Sequence, residues 1–506
     1  MPDNGGTHEP SVIDEVELKL QVHAESLSAV VARLRALGAR RTRLRTAYFD
    51  TPDGALAQNS IAWRVRRQGR QWIQTLKSGE GLVRDEHEVL LPGSADEWPT
   101  PDMDRHAGTA SGIRLAKILG AAGAPALERF RTDFSRLSAP LRTRRGWVEL
   151  SLDRGTVEAG EAHSPLCELE IELIRGSPRA VTEVAAILIR RYGLWIDLRS
   201  KAHRGHLLAT GQARAAARGA DPCRLSPDLS LPQAWQEVAR SCSTQILSNA
   251  SQIASDEGGD ADHVHQIRVG LRRLRAAVRL FGSMVPDAEA FSAQAGDLAR
   301  ALGASRDRDV MASELWPALT QAGAPLAALP TAAAQADPSR IIRSSAHQIW
   351  MLRLIETCEA PSLPGPEGES VSENLTTELT RTLEEGLRSI RRKLRRFDAL
   401  ADEERHRLRR QLKRLRYGID FCAALLPTQK TRRMLRVLAQ AQETLGDYND
   451  AVIALATYRT HAESDPRAWF AAGWIAGRMP EHLARCRKAL DRLADMPRPW
   501  EKPLQP

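Results

Sequence analysis

Long apolar runs are missing from this chain, and no stretch approaches the ~20 apolar residues that a membrane helix requires. The first ten residues, MPDNGGTHEP, are polar and lack the apolar core of a signal peptide. Cysteine is scarce. The six present (Cys167, Cys223, Cys242, Cys358, Cys422 and Cys486) contain no C-x-x-C pair, which argues against a zinc site or a disulfide framework and fits reduced thiols. Aromatics are only 5% of residues and do not interleave with the arginines, so no stacking platform for nucleic acid is visible. The expectation from these absences is a cytoplasmic location, no membrane association and no nucleic-acid partner.

What the chain does have is length and positive charge. At 506 residues it exceeds one ordinary core, so two or more domains are expected. Hydrophobic residues make up 42% and charged residues 27%, a globular balance. Net charge is +9 and the pI about 9.5, mostly from arginine. Arginine presents a planar fork that matches phosphate oxygens, so the excess points to a polyanion. Charge alone does not choose between nucleic acid, polyphosphate and lipid.

The N-terminal part reads as strands with a period of two. In Glu15-Val16-Glu17-Leu18-Lys19, the charged residues Glu15, Glu17 and Lys19 share one face and Val16 and Leu18 the other. Two carboxylates about 7 Å apart on one strand suit a hard divalent cation, and the lysine beside them suits an accompanying anion. A solvated edge strand would show the same pattern once, but here it returns. Arg64 and Arg66 alternate with Trp63 and Val65, QWIQTLK ends in Lys77, and Arg84, Glu86 and Glu88 alternate in RDEHEVLL. Phe130 to Arg136 carries Arg131, Asp133 and Arg136; Glu149, Ser151 and Asp153 oppose Val148, Leu150 and Leu152; Glu168, Glu170 and Glu172 alternate with Leu169, Ile171 and Leu173. Carboxylates in such rows would repel on an open sheet. A closed antiparallel barrel accounts for them better, with acidic strands facing basic strands across a water-filled lumen and apolar faces packed outward on helices. Glu149 and Glu172 read equally well as salt-bridge partners in the wall, and register leaves Glu86 against Glu88 open.

These segments resemble the CYTH domain of the triphosphate tunnel metalloenzymes. Glu15-x-Glu17-x-Lys19 matches its E-x-E-x-K signature. YFDT at 48–51, the run with Arg64 and Arg66, TLK ending at Lys77, LDRG at 152–155 and ELEIE at 168–172 follow in order, and SKAHRG at 200–205 resembles the closing motif. The resemblance implies an α+β domain over 11–208 built on an eight-stranded antiparallel β tunnel that hydrolyses a triphosphate with Mg²⁺ or Mn²⁺. It implies catalysis by Glu15, Glu17 and Lys19, and metal ligation by Glu15, Glu17, Asp153, Glu168 and Glu170. Lys19, Arg64, Arg66, Lys77, Arg84, Arg131 and Lys201 would hold phosphate.

Residues 209–232 are rich in Ala, Pro, Gly and Ser and read as a linker. Beyond them, over 233–495, the pattern is helical and contains a repeat. His265, Arg268, Arg272 and Arg275 recur 141 residues later as His406, Arg409, Lys413 and Arg416, and Leu302-Gly303-x-x-Arg306-Asp307 recurs as Leu445-Gly446-x-x-Asn449-Asp450. At helical spacing each copy shows a basic stripe beside an apolar one, the latter Ile267, Leu271, Leu274, Val278 and Phe281, then Leu408, Leu412, Leu415 and Ile419. Neither basic stripe has acidic partners at i+4 before Asp420. Two such bundles facing each other would line a basic groove. Arg388, Arg391, Arg392, Arg395 and Arg396 either extend that surface or decorate an exposed helix. The repeats resemble the CHAD domain, an all-α pseudo-symmetric pair of bundles, which implies binding of inorganic polyphosphate through the eight repeated residues and an association with polyphosphate granules.

The functional expectation is a metal-dependent inorganic triphosphatase acting on tripolyphosphate, with a helical polyphosphate-binding domain. Alternatives are a tunnel acting on an organic triphosphate (ATP cyclisation or thiamine triphosphate hydrolysis) and a non-catalytic polyphosphate scaffold.

Overall fold

The computed structural model describes residues 12–79, 83–93, 98–303, 315–325, 337–359 and 375–501; the side chains of residues 12–15, 83, 84, 283 and 359 lie outside that description. Two compact units emerge: Met1–Arg218 with Leu247–His263 and Pro338–Glu356, and Gly219–Ile246 with Val264–Asp337 and Thr357–Pro506. The first therefore recruits segments from the part of the chain that reads as the helical half.

The first unit is built on β1 (Val12–Gln21), β2 (Arg40–Asp50), β3 (Ile61–Gln68), β4 (Gln71–Ser78), β5 (Val83–Leu91), β6 (Leu127–Arg142), β7 (Gly146–Ala159), β8 (Ala162–Gly176) and the short β9 (Trp195–Ile196). Its helices are α1 (Ala24–Ala36), α2 (Ala55–Gln58), α3 (Ala110–Ala122), α4 (Arg179–Tyr192) and α5 (Lys201–Ala209). The sheet runs β5-β4-β3-β2-β6-β7-β8-β1-β9, and β1 also pairs with β5. Eight antiparallel strands thus close on themselves, because β1 gives its first half to β5 and its second half to β8. Closure removes the sheet edges that these β-branched and aromatic strands would otherwise expose.

The outer wall follows the period of two. Leu18, Leu20, Leu150, Leu152, Leu169 and Ile171 are buried on one face of β1, β7 and β8, beside α4. Trp63, Leu76 and Leu115 form a second apolar cluster with Leu56 and Ile61, uniting β3, β4, α2 and α3. Asp50, the Asp of YFDT, is structural. Its carboxylate accepts hydrogen bonds from the backbone N–H groups of Thr51 (2.7 Å), Leu56 (2.8 Å) and Ala57 (3.0 Å), satisfying donors that the start of α2 leaves open.

The inner face is not uniformly charged, so the expected polar lumen holds over only part of the interior. Tyr48, Phe130 and Val157 face inward and pack against Ala202, Leu208 and Ala209 of α5. A Cβ on Gly205 would meet the Phe130 ring at 2.1 Å, so only glycine lets α5 lie this close. One helix therefore packs on part of the interior and calls for an apolar lining there.

Outside the barrel, His87 of β5 and His106 are both buried and share a hydrogen bond of 2.8 Å between Nδ1 atoms, while His106 Nε2 lies 2.9 Å from the Gln74 amide. Burial, then the neighbouring His87, lowers the His106 pKa to about 4. A histidine that protonates more readily when unfolded loses stability as pH falls, here from about 6.5 towards 4. The shift corresponds to roughly 3 kcal/mol at the acidic end. His106→Asn should therefore flatten the drop in unfolding free energy between pH 7 and pH 5 seen by urea titration of the native sequence; parallel drops in the two proteins would refute this assignment.

The second unit is helical. Its segments come from α6 (Leu231–Ala254), α7 (Ala261–Leu280), α8 (Ala288–Ala301), α9 (Trp316–Gln321), then, after α10 (Pro338–Arg343) and α11 (Ser345–Glu359), from α12 (Leu375–Leu394), α13 (Asp402–Phe421), α14 (Thr428–His461) and α15 (Ala468–Ala494). The two repeats fall on α7 and α13, and both apolar stripes are buried. The six cysteines are free, and among the described residues no helix is long and apolar enough to cross a membrane.

Candidate active site

Strand register carries a set of charges to the inner face of the barrel. Glu17 pairs with Glu172 and Lys19 with Glu170 across β1 and β8, while Asp153 pairs with Glu168 across β7 and β8. Asp153 and Glu168 are fully buried, and Glu17, Lys19, Glu170 and Lys201 nearly so. Their ion pairs are close. Lys201 Nζ lies 2.7 Å from Asp153, 2.5 Å from Glu168 and 2.9 Å from Glu170. Arg136 donates two bonds of 2.7 Å to Asp153 and a further one to Glu170. Lys19 Nζ is 2.7 Å from Glu17 and 3.8 Å from Glu170.

A second nest forms on β3, β4 and β5. Lys77 reaches Glu86 at 2.9 Å, Arg64 lies 3.3 Å from Glu86 and 3.9 Å from Glu88, and Arg66 reaches Glu88 at 3.1 Å. Glu86 and Glu88 both face inward, which resolves the register question in favour of both. Burial and the adjacent Arg64 push the Arg66 guanidinium below its ordinary value, and Arg136 adds to this across the lumen.

Electrostatics distinguish the carboxylates. Burial pushes Glu168 up, and Lys201 offsets this only in part. Burial would raise Glu170 as well, but Lys201, Arg136 and Lys19 together outweigh it and hold that carboxyl well below the usual range. Lys201 is held well above the ordinary lysine value, because Asp153, Glu168 and Glu170 outweigh its burial.

Of the residues expected to serve the tunnel, Glu17, Lys19, Arg64, Arg66, Lys77, Asp153, Glu168, Glu170 and Lys201 come together inside. Glu15 and Arg84 pair in backbone register, and their side chains lie outside the described residues. Arg131 is the correction. It sits opposite Glu158 and Ala47 on the outer face, half exposed, bonded to Glu128 at 2.5 and 2.8 Å and stacked over Trp98 at 4.9 Å. Arg136, visible in the sequence of β6 but not assigned to the site there, is the β6 cation that faces the carboxylates. No local signal marks it, since Arg136 shares its face of β6 with Phe130 and Phe134. Glu149 and Glu172 face each other farther along the same inner row.

Residues 14–205 match the CYTH domain and residues 237–459 the CHAD domain. The chain carries a CYTH domain followed by a CHAD domain. An inorganic triphosphatase of Haemophilus influenzae is 26% identical over 205 residues, a match that covers 40% of this chain and 56% of that relative. An uncharacterized protein of Mycobacterium tuberculosis is 25% identical over 519 residues, covering 94% and 95%. Among solved structures, a CHAD domain from the plant Ricinus communis is 25% identical, covers 55% of this chain and 96% of that one, and has a TM-score of 0.42.

CYTH domains are metal-dependent, and Asp153, Glu168 and Glu170 fit a metal: one oxygen from each lies within 4.8 Å of the others, and all three residues are buried. Glu168 Oε2 is buried, accepts no hydrogen bond among the described residues and lies 3.8 Å from the Arg204 guanidinium. An oxygen in that condition is a ready ligand for a hard cation.

In the CHAD domain the two repeats use the same packing device. A Cβ on Gly303 would come within 3.0 Å of Arg268, and one on Gly446 within 2.9 Å of Arg409, so each Leu-Gly pair makes room for a guanidinium. His406 shares a hydrogen bond with Asn449; Arg306, the position matching Asn449 in the first repeat, lies outside the described residues. Arg272 and Arg416 bury their Nε atoms with no hydrogen-bond partner among the described residues. His265 is half-buried, Lys413 half-buried and Arg275 exposed. Partial desolvation, then Arg300 and Arg410, lowers the Arg275 pKa; partial desolvation, then Arg279, Arg410 and Arg275, lowers that of Arg414. Arginines of both repeats thus crowd together, and Arg279, Arg300, Arg410 and Arg414 join the eight repeated residues. The Arg-Arg and Lys-Arg pairs at 409–410 and 413–414 hid two of them, since a helical stripe can be drawn through either member. Arg388 is paired with Glu384 at 2.7 Å, and Arg391 donates to the Met496 carbonyl at 2.6 Å, so these two serve local structure.

Proposed function

We propose that this protein is a metal-dependent inorganic triphosphatase that takes tripolyphosphate into the barrel, and that its CHAD domain binds inorganic polyphosphate. The observation that carries this reading is the pairing of opposite charges on a buried inner surface. A ligand of one sign would leave half of those buried charges uncompensated, at a cost of several kcal/mol each. A condensed phosphate chain entering with a divalent cation would be met on both sides: Arg64, Arg66 and Lys77 would hold phosphate oxygens, and Asp153, Glu168 and Glu170 would hold the cation.

When bound there, Mg²⁺ or Mn²⁺ supplies Lewis-acid neutralisation of the phosphoryl oxygens. The remaining work falls to the chain. Arg64 and Lys77 bind and orient the anion, Arg136 holds Asp153 and Glu170 in place, and the closed sheet limits access of bulk water. Positioning and charge compensation are the main demands of phosphoryl transfer. Glu17 and Lys19, bonded to each other, complete the row. In the CHAD domain, crowded guanidinium groups gain from an anion that relieves their repulsion, and the same surface would tether the enzyme to polyphosphate granules.

Purified protein with Mn²⁺ or Mg²⁺ should show its highest kcat/KM on tripolyphosphate in a panel with ATP and thiamine triphosphate. Faster release from thiamine triphosphate, or cyclic AMP formed from ATP, would move the assignment to an organic substrate. No turnover of any triphosphate with either metal would reject an enzymatic role.

A further inference from the structure

Lys201 stands where the tunnel's metal would go. Its Nζ lies 2.5–2.9 Å from one oxygen each of Asp153, Glu168 and Glu170. A magnesium ion sits about 2.0–2.1 Å from its oxygen ligands. An ion bound to those three oxygens would overlap the ammonium, and the two cations would repel at contact. The site accommodates one or the other.

The placement is unusual on its own helix. Lys201 is the first residue of α5, where the helix dipole disfavours a cation. The Ser200 hydroxyl accepts from the His203 N–H at 3.1 Å, so the end is already capped, and the lysine is there for the carboxylates. The helix itself has little room to move, because Gly205 is pressed against the Phe130 ring and Ala202 and Leu208 pack on Tyr48, Phe130 and Val157. Any displacement therefore falls on the Lys201 side chain. Meanwhile Glu168 Oε2, which accepts no hydrogen bond among the described residues and lies 3.8 Å from the Arg204 guanidinium, offers an incoming ion a first foothold.

We infer that Lys201 is a resident cation of the carboxylate triad that a divalent metal displaces, and that the freed ammonium then becomes a phosphate-binding group. Built on the tunnel reading above, the inference adds an order of events: metal first, phosphate chain second. Metal loading converts Lys201 from a carboxylate partner into a substrate contact, so the metal-free tunnel keeps its buried charges compensated and does not attract phosphate prematurely.

Calorimetric titration of Mn²⁺ into the full chain and into its Lys201→Gln variant, without phosphate, tests this. The variant should bind Mn²⁺ at least tenfold more tightly, and with Mn²⁺ present its affinity for a non-hydrolysable triphosphate analogue should fall. In the native sequence, amine labelling followed by peptide mass spectrometry should show Lys201 modified faster once Mn²⁺ is added; this arm decides if the variant does not fold. Equal Mn²⁺ affinities, or labelling of Lys201 that Mn²⁺ leaves unchanged, would overturn the inference while the metal site stands. Absence of Mn²⁺ binding to both proteins would remove the metal site and the inference together, whereas tighter binding in the variant without hydrolysis of any triphosphate would keep the inference and reject the enzymatic reading.

Discussion

Glu170→Gln is expected to lower kcat on tripolyphosphate with Mn²⁺ by about 10²–10³-fold, the scale of losing one preorganised charge interaction in an active site. Glu170 is the carboxylate on which three cations converge, Lys201 at 2.9 Å, Lys19 at 3.8 Å and Arg136 in direct contact. Glutamine keeps the shape and one acceptor but removes the charge, so the metal loses a ligand and the three cations lose their common anchor. Breaking a buried pair by neutralising one partner also costs about 3–5 kcal/mol of stability. The variant should therefore be assayed well below its unfolding midpoint, with circular dichroism confirming the fold. Arg131→Ala is the control. Its guanidinium lies on the outer wall against Glu128 and Trp98, and turnover should stay within about twofold, as for surface changes away from a site. A Glu170→Gln enzyme retaining more than a tenth of native kcat would exclude the inner carboxylates from catalysis.

The largest effect on binding should come from Arg275→Glu combined with Arg414→Glu. These arginines belong to different repeats, and each has its pKa lowered by partial desolvation and by neighbouring guanidinium groups. Reversing both charges is expected to weaken binding of long-chain polyphosphate by at least 100-fold at low salt. The slope of log affinity against log salt should fall by about 1.4, since each cation that no longer neutralises a single-stranded polyanion accounts for about 0.7. Tripolyphosphate turnover should not change, since neither residue belongs to the barrel. The unfolding midpoint should hold or rise, because like-charge repulsion is relieved. Native polyphosphate affinity in the double variant would place the binding surface elsewhere.

Alternation in β1, β3, β7 and β8 let Glu17, Lys19, Arg64, Arg66, Asp153, Glu168 and Glu170 be read as one inner row from residue types alone, because a strand's period of two is local geometry. The 141-residue repeat, and the apolar stripes that bury α7 and α13, were equally legible for the same reason. Recognising Asp50 as a cap required the hydrogen bonds of the turn into α2, which neighbouring residue types do not specify. Locating Arg410 and Arg414 required knowing which face of α13 approaches Arg275.

The sequence by itself determined that charged and apolar faces would separate on a run of strands, and that two helices would carry matching basic stripes. Only the tertiary structure decided which charges of β6 look inward. The rule that charges face the lumen fails there because α5 packs against the inner wall: Phe130 and Phe134 turn in, towards its Ala202 and Lys201, and put Arg131 and Asp133 on the outer face. The long-range docking of one helix, set by Gly205 and the Lys201 ion pairs well beyond β6 in the chain, reverses the local pattern and makes Arg136 the inward cation.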